Sequence, residues 1–325
     1  MKKEMFTGKK YSIENRPKVI LVGNGIPRLI HREGWLELIN NMAENDYKLP
    51  KETPYSLQAT LKLDMNDKNR HSNYHKALKP TEYSYEKNHV MHELLKCNAD
   101  VFLTTNYTYD IEYELDNDYI NYSDNKKRKS SVILGKTENN RVDTKYLLRT
   151  YNKIENQELG HKEIWHIHGE HRRKSSMILT HDEYIKLIAK EVEYLNKKSN
   201  YYEENQNDIR ISSWIDYLIL GELYIIGYGL DFSEFDMWWI INRRLRENVN
   251  KNNMPKIYFY EYYSVQDKDD YPPQCKALKK IGAEVISYRQ LANKSGIKLN
   301  KKLSGEDYNQ FYDVAIKDIQ KRMKK

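Results

Sequence analysis

The chain has 325 residues, enough to bury a full core in one large domain or two modest ones. Its hydrophobic fraction of 39% is below the usual globular range, 31% of its residues are charged, and 54 basic against 47 acidic residues leave a net charge of +7. That surplus is spread along the chain, with one dense block at Lys126–Lys129 that reads as a solvated loop, whereas a nucleic-acid binder carries a clustered patch. Cys97 and Cys275 are the only cysteines, which excludes a disulfide framework and a four-cysteine zinc site. The first 18 residues are charged without an apolar core segment, and no stretch approaches the length of a membrane span, so a soluble cytoplasmic protein with no membrane partner is expected.

In chain order, Lys18 to Val22 is predicted as a strand that runs straight into Gly23-Asn24-Gly25. A helix follows with Leu29, Ile30, Trp35, Leu36, Ile39 and Met42 on its apolar face, interrupted near Gly34. Residues 44–80 are polar and proline-punctuated and read as loop with a short helix. Glu82 to Cys97 is predicted helical and leads into a strand over Asp100 to Thr105; Asp110 to Leu115 adds a helical turn or two. Residues 116–160 change character, and the β-prone runs Val132 to Gly135 and Val142 to Tyr151 predict a small antiparallel insertion. The run Ile164-Trp165-His166-Ile167-His168-Gly169 returns to the main sheet, and Met177 to Thr180 is a further extended piece. A helix opens at His181, its start stabilised by Asp182 and Glu183. After a polar break, a buried helix is predicted over Ile209 to Leu220. A strand then leads into Gly227-Tyr228-Gly229, followed by a helix over Glu234 to Arg246, a strand over Lys256 to Tyr260, a helix near Lys276, a strand over Ala283 to Ser287 and a surface amphipathic helix over Glu306 to Met323. Strands alternating with helices predict an α/β fold, a doubly wound, mainly parallel Rossmann-like sheet with helices on both faces and a small inserted module.

Chemistry-bearing residues sit where the strands end, which is where open α/β sheets bind ligands. Asn106 follows one strand and His168 another, so a carboxamide and an imidazole are expected to face one pocket. Gly23-Asn24-Gly25 lets the backbone approach a phosphate held by amides at the next helix start, although Arg28 stands where a dinucleotide fingerprint has its third glycine. Thr104 to Tyr107 reads equally as a helix cap. Alternation places His166 and His168 on one face, an arrangement able to bind metal with His161 and His171 nearby, yet no cysteine partner exists and no metal is expected. His166 also reads as a satisfied structural histidine, and Gly169 as a point of close ligand approach. Near Gly227 and Gly229, Asp231 and Asp236 are the candidate polar groups, Asp236 with a helix-capping alternative, and Trp238 and Trp239 read as core.

Five segments, VILVGNG at 19–25, FLTTNYTYDIE at 102–112, IWHIHG at 164–169, SSMILTHDEY at 175–184 and LYIIGYGLDFSEFD at 223–236, resemble in order and spacing the sirtuin-like family, in particular its divergent prokaryotic members linked to antiphage defence. The resemblance covers roughly residues 18–290. It implies an N-terminal extension over 1–17, a Rossmann-like NAD-binding catalytic domain over 18–290 with an insertion about 116–160, and a C-terminal helical tail over 291–325. By that likeness Asn106 and His168 align with the family's catalytic pair, and Gly23, Asn24, Gly25, Thr105, Asp110, Gly227, Gly229 and Asp231 with its NAD contacts. Two departures stand out: Thr108 occupies a position where the family often has aspartate, and Pro27 one where small polar residues are common.

Two cysteines cannot supply the zinc module of the deacetylating members, so no zinc and no deacetylation are expected. The resemblance implies NAD hydrolysis instead, with NAD as substrate rather than retained cofactor and its depletion as the cellular effect. The rival reading is a non-catalytic NAD- or ADP-ribose-binding regulatory subunit, favoured by Thr108; a hydride-transferring dehydrogenase fits the incomplete glycine fingerprint less well. Restraint of such an enzyme implies a homo-oligomer or a gating partner protein, with nucleic acid reached only through a partner.

Overall fold

Parallel strands covered on both faces have no side to give to water, so they appear as unbroken apolar runs. Five such runs form the centre of the sheet in the computed structural model, which describes residues 9–30, 34–42, 49–50, 53–63, 86–121, 132–136, 145–204, 209–247, 254–263, 271–298 and 305–324. In chain order the strands are β1 (Lys9–Tyr11), β2 (Lys18–Val22), β3 (Val101–Thr104), β4 (Val132–Lys136), β5 (Thr150–Asn156), β6 (Gly160–His166), β7 (Ile209–Ile211), β8 (Glu222–Ile226), β9 (Ile257–Glu261) and β10 (Glu284–Ser287). Eight of them make one mixed sheet in the order β10-β9-β8-β2-β3-β6-β5-β4, and β1 pairs antiparallel with β7 in a separate ribbon. From β10 to β6 the strands run parallel; β5 and β4 add antiparallel at the edge, so the predicted insertion extends the sheet. The α/β, doubly wound, Rossmann-like class read from the pattern is the fold observed.

Period-two alternation sorts the strand side chains between two cores. Val19, Leu21, Leu103, Trp165 and Ile225 face helices His181–Glu204, Trp214–Leu220, Phe235–Glu247 and Pro273–Lys280. Ile20, Val22, Phe102, Ile164 and Ile226 face helices His89–Leu95, Asp110–Leu115, Tyr288–Lys294 and Gly305–Met323. The last of these buries Phe311, Tyr312, Ala315, Ile316, Ile319 and Met323 and is integral to that core. A third cluster, built from Ile39, Ala59, Leu63, Tyr107, Met177 and Leu179, brings helices Trp35–Met42 and Tyr55–Lys62 over the end of β3.

Several local expectations shift. Among the described residues between β2 and the Trp35 helix, the chain forms a three-residue 3₁₀ turn, Pro27–Leu29. The predicted Ile209 to Leu220 helix begins at Trp214, because Ser213 and Asp216 close a capping box and the residues before it pair as β7. The extended piece Met177 to Thr180 joins no sheet ladder; the Ile178 amide donates to the His168 carbonyl (2.9 Å). The acidic start of the His181 helix does more than meet its dipole, since Glu183 accepts from the amides of Leu179 and Thr180 (both 2.9 Å). Trp238 and Trp239 are only partly buried at the core's margin, Trp238 stacking on Phe232. The basic block at 126–129, the polar stretch 64–85, residues 43–48, 51–52 and much of the 116–160 insertion lie outside the described residues.

Arg244 fastens one face of the sheet. Fully buried, it donates to the carbonyls of Gly221 (2.6 Å), Pro255 (2.7 Å) and Lys256 (3.3 Å), and to that of Leu218. These carbonyls lie at a helix end and at the entries to β8 and β9. Arg244→Met keeps the apolar stem but strands those acceptors, and should lower stability by about 2–3 kcal/mol. A drop in the urea midpoint at unchanged slope measures it; an unchanged midpoint contradicts the role.

Candidate active site

The chain order β2-β3-β6 runs one way across the sheet and β8-β9-β10 the other, so the topology reverses between β2 and β8, where doubly wound sheets open a ligand crevice. A cavity of about 440 Å³ lies there. Its lining includes Asn24, Gly25, Thr105, Asn106, His168, Gly227, Gly229 and Asp231, so eight sequence-predicted residues meet in one place. Gly23 and Asp110 do not line it. Gly23 sits under the β8 loop, its amide donating to Ile226 (3.2 Å), and a Cβ there would overlap the Gly227 carbonyl. Asp110 stands one layer back and accepts from the Thr108 hydroxyl (2.6 Å), which does reach the cavity.

The glycines are needed for loop packing. Gly25 donates to the Gly227 carbonyl (2.7 Å), and Gly227 turns at φ +65°. The amides of Gly23 and Gly25 are therefore engaged by the β8 loop rather than free for a phosphate, and the short turn after β2 offers no long helix terminus. That corrects the anion-cradle expectation; Arg28, on the cavity rim, is the charge present there. In the same loop Leu230 is buried with φ +46°, strain of about 1–3 kcal/mol that the surrounding packing must hold.

His168 is 2% exposed, and its Nε2 meets Asp236 Oδ2 at 2.7 Å. A carboxylate accepts, so Nε2 carries the proton and Nδ1 is left with its lone pair, 3.8 Å from Glu234 Oε2. Burial alone lowers the histidine's pKa, but Asp236 and Glu234 outweigh it and raise it above the ordinary value. Glu234 is in turn pushed up to about 7 by burial, against the pull of His168. Tyr184 stacks edge-on to His168 and its hydroxyl lies 3.3 Å from Glu234. Asp236 is thus the orienting partner of His168, beyond any capping role.

The two histidines do not share a face. β6 ends at His166, whose Nε2 meets Glu112 Oε1 (2.7 Å) and whose Nδ1 meets the Asn106 carbonyl (2.7 Å), while His168 turns to the opposite helix layer. His166 therefore holds the backbone of Asn106, leaving its carboxamide without a hydrogen bond among the described residues, facing the cavity. Glu112 and Glu170 raise the pKa of His166 to about 9 against the effect of burial. Gly169 (φ +90°) is pressed on the Ser176 backbone, where a Cβ would overlap the carbonyl oxygen, so it serves packing rather than ligand approach.

His161 pairs with Glu155 and His171 packs on Tyr109, so neither joins a ligand cluster with the other histidines. Among the described residues, one histidine–carboxylate group has metal-like spacing: ligand atoms of His168, Glu234 and Asp236 lie within 4.8 Å of one another. Within that group His168 Nε2 is already hydrogen-bonded to Asp236 Oδ2. Both cysteines are buried and free.

Sequence reading missed Glu234, Tyr184, the Trp35 and Tyr55 wall, and Glu261 with Tyr308, Phe311 and Tyr312 at the far end. Glu261 was findable by the rule that picked out Asn106, since it ends the apolar run of β9.

Fold and cleft together define a doubly wound α/β protein with a cleft at its switch point and a buried histidine–carboxylate pair toward one end of it. Residues 100–286, more than half the chain, match the SIR2-like domain, and the chain belongs to that family. The family is typically one of NAD-dependent enzymes, which makes NAD-related activity the coarse functional class. No curated protein matches the chain. Among the described residues no helix is long and apolar enough to cross a membrane.

Two titrations follow. In Asp236→Asn, His168 loses its anionic partner, and its midpoint by imidazole NMR should fall; an unmoved midpoint contradicts the pairing. The folded-state pKa of His166 lies above its unfolded value, so its contribution is present below about 6.5 and is lost as pH rises through about 9. The melting temperature should decline across that window, and His166→Gln should flatten the decline.

Proposed function

We propose that this protein cleaves the nicotinamide–ribose bond of NAD with water, giving nicotinamide and ADP-ribose. The observation that carries the reading is the convergence of Asn106 and His168, from adjacent parallel strands, on one wall of a cleft that crosses the sheet. The strand ends at β6, β3, β2, β8 and β9 all contribute to it. Four gaps at ~4.8 Å make a span of ~19 Å, the scale of an extended dinucleotide.

Nicotinamide departs as a neutral ring from a cationic N-glycoside, so the leaving group needs little acid. The requirement is a water held on the correct face of an oxocarbenium-like sugar. The Asn106 carboxamide supplies both a donor and an acceptor for that water or for the ribose hydroxyls. As the C1′–N bond breaks, water oxygen bonds to C1′ and its proton passes to Nδ1 of neutral His168. Asp236 favours that transfer by stabilising the imidazolium it creates. Glu234 lies beside the same nitrogen, and the Tyr184 hydroxyl donates to its carboxylate. Thr108, backed by Asp110, presents a polarised hydroxyl where many relatives of the sequence pattern carry a carboxylate.

As an enzyme of this kind the protein acts in antiphage defence by depleting NAD in the cytoplasm, restrained by a second copy or a gating partner; support for that cellular role is the resemblance of the five segments. The second reading, a non-catalytic ADP-ribose-binding subunit, is favoured by Thr108.

Incubation with NAD and chromatography of the products tests both. The parent should release nicotinamide and ADP-ribose, and His168→Ala and Asn106→Ala should each lose about 10²–10⁴-fold in rate. Binding of ADP-ribose without turnover would favour the subunit reading, and parent-like turnover by His168→Ala would reject its role as base.

A further inference from the structure

Glu191 is a buried acid with no part in the bond cleavage described above. The buried stripe of the His181–Glu204 helix runs Tyr184, Leu187, Glu191, Leu195, so a carboxyl stands at a position whose spacing belongs to core side chains. It is 0% exposed, and both of its oxygens lack a hydrogen-bond partner among the described residues. The helix packs on Phe235–Glu247, whose Asp236 is equally buried. Oδ2 of Asp236 is engaged by His168, and Oδ1 has no partner among the described residues. Tyr184, two turns before Glu191 on the same stripe, is the residue that meets His168 edge-on.

When two buried carboxyls are neighbours, ionising one opposes ionising the other. Asp236 has the imidazole as its partner and keeps the charge. Among the described residues no cation pairs with Glu191, since Lys198, two turns further along the helix, is bound to Asp216 (2.6 Å). Burial and the charge of Asp236 push the Glu191 carboxyl well above the usual carboxylate range. The other titratable groups around Asp236 are Glu234, Tyr184 and Tyr228, and burial keeps both phenols neutral. A protonated carboxyl is a donor, and the unpartnered acceptor beside it is Oδ1 of Asp236. We propose that Glu191 carries a proton aimed at that oxygen, directly or through one water, and acts as a positioning residue that limits how strongly Asp236 draws a proton onto His168. The imidazole then becomes available as a base at a lower pH than Asp236 alone would allow. The consequence for rate rests on the NAD reading above; the proton on Glu191 does not.

Imidazole NMR of the full chain, with the His168 signal assigned by its loss in His168→Gln, tests the proton without requiring turnover. Glu191→Leu removes the donor from a position that an apolar side chain fills, so the variant should fold and its His168 midpoint should rise. Glu191→Gln keeps a neutral donor and should hold the midpoint at that of the parent. On the acidic side of the midpoint, nicotinamide release from NAD should be slower in Glu191→Leu by about two- to tenfold, the range of a single hydrogen bond, and level with the parent in Glu191→Gln. A purely structural role would shift the melting temperature and leave the midpoint in place, which overturns the proposal. Midpoints lowered together in both variants would mean that Glu191 is ionised, and overturn it as well. The predicted midpoints with no nicotinamide release by the parent would reject the NAD reading and leave the role of Glu191 standing.

Discussion

The amide of Gly25 donates to the carbonyl of Gly227, and the cleft depends on how closely those two loops approach. β2 lies between β3 and β8, so its outgoing loop must cross the point where the sheet's topology reverses. Side chains on Gly23 or Gly25 would strike the β8 loop or the Tyr312 hydroxyl. Without side chains the loops lock together, and the space beyond them runs across the sheet from β6 to β9. The locked loops fix the middle of the cleft, and its two ends are then specialised by what each strand carries at its terminus.

One end is an electrostatic problem solved by pairing. Asp236 and His168 are both buried, and a lone carboxylate there would carry the full penalty of desolvation. Their hydrogen bond relieves that penalty and sets the tautomer of the imidazole in the same contact. His166 meets the same difficulty on the other face, between Glu112 and Glu170, and there the answer is structural: its second nitrogen grips the Asn106 carbonyl. Two histidines, two residues apart, thus separate into one that shapes the site and one that faces it.

Much of this was legible in the sequence because buried parallel strands advertise themselves as apolar runs, and the residues just past them are the ones a cleft receives. β2, β3, β8, β9 and β10 followed from that, as did Asn106 and His168. What was not legible depended on where regularity stops. The His166–Ile167–His168 alternation holds only while β6 continues, and β6 ends at His166. Asp236 stood out beside the β8 glycines, but it lies 68 residues from His168 on another element, so no local pattern points to their pairing. Gly169 looked like a ligand contact because a glycine beside a site and a glycine under a neighbouring backbone are the same letter. The short pairing of β7 with β1 was hidden inside a run that also suited a helix.

The walls of the cleft are drawn from both extremes of the described chain, beginning with Asn24 and ending with Tyr312. The helix that carries Tyr308, Phe311 and Tyr312 docks on helices His89–Leu95 and Tyr288–Lys294. Synthesis consequently delivers Asn106 and His168 long before the opposite wall exists. A growing polypeptide still threaded through the ribosome holds half of the cleft, and the opposite wall closes only after the Gly305–Met323 helix has emerged and settled.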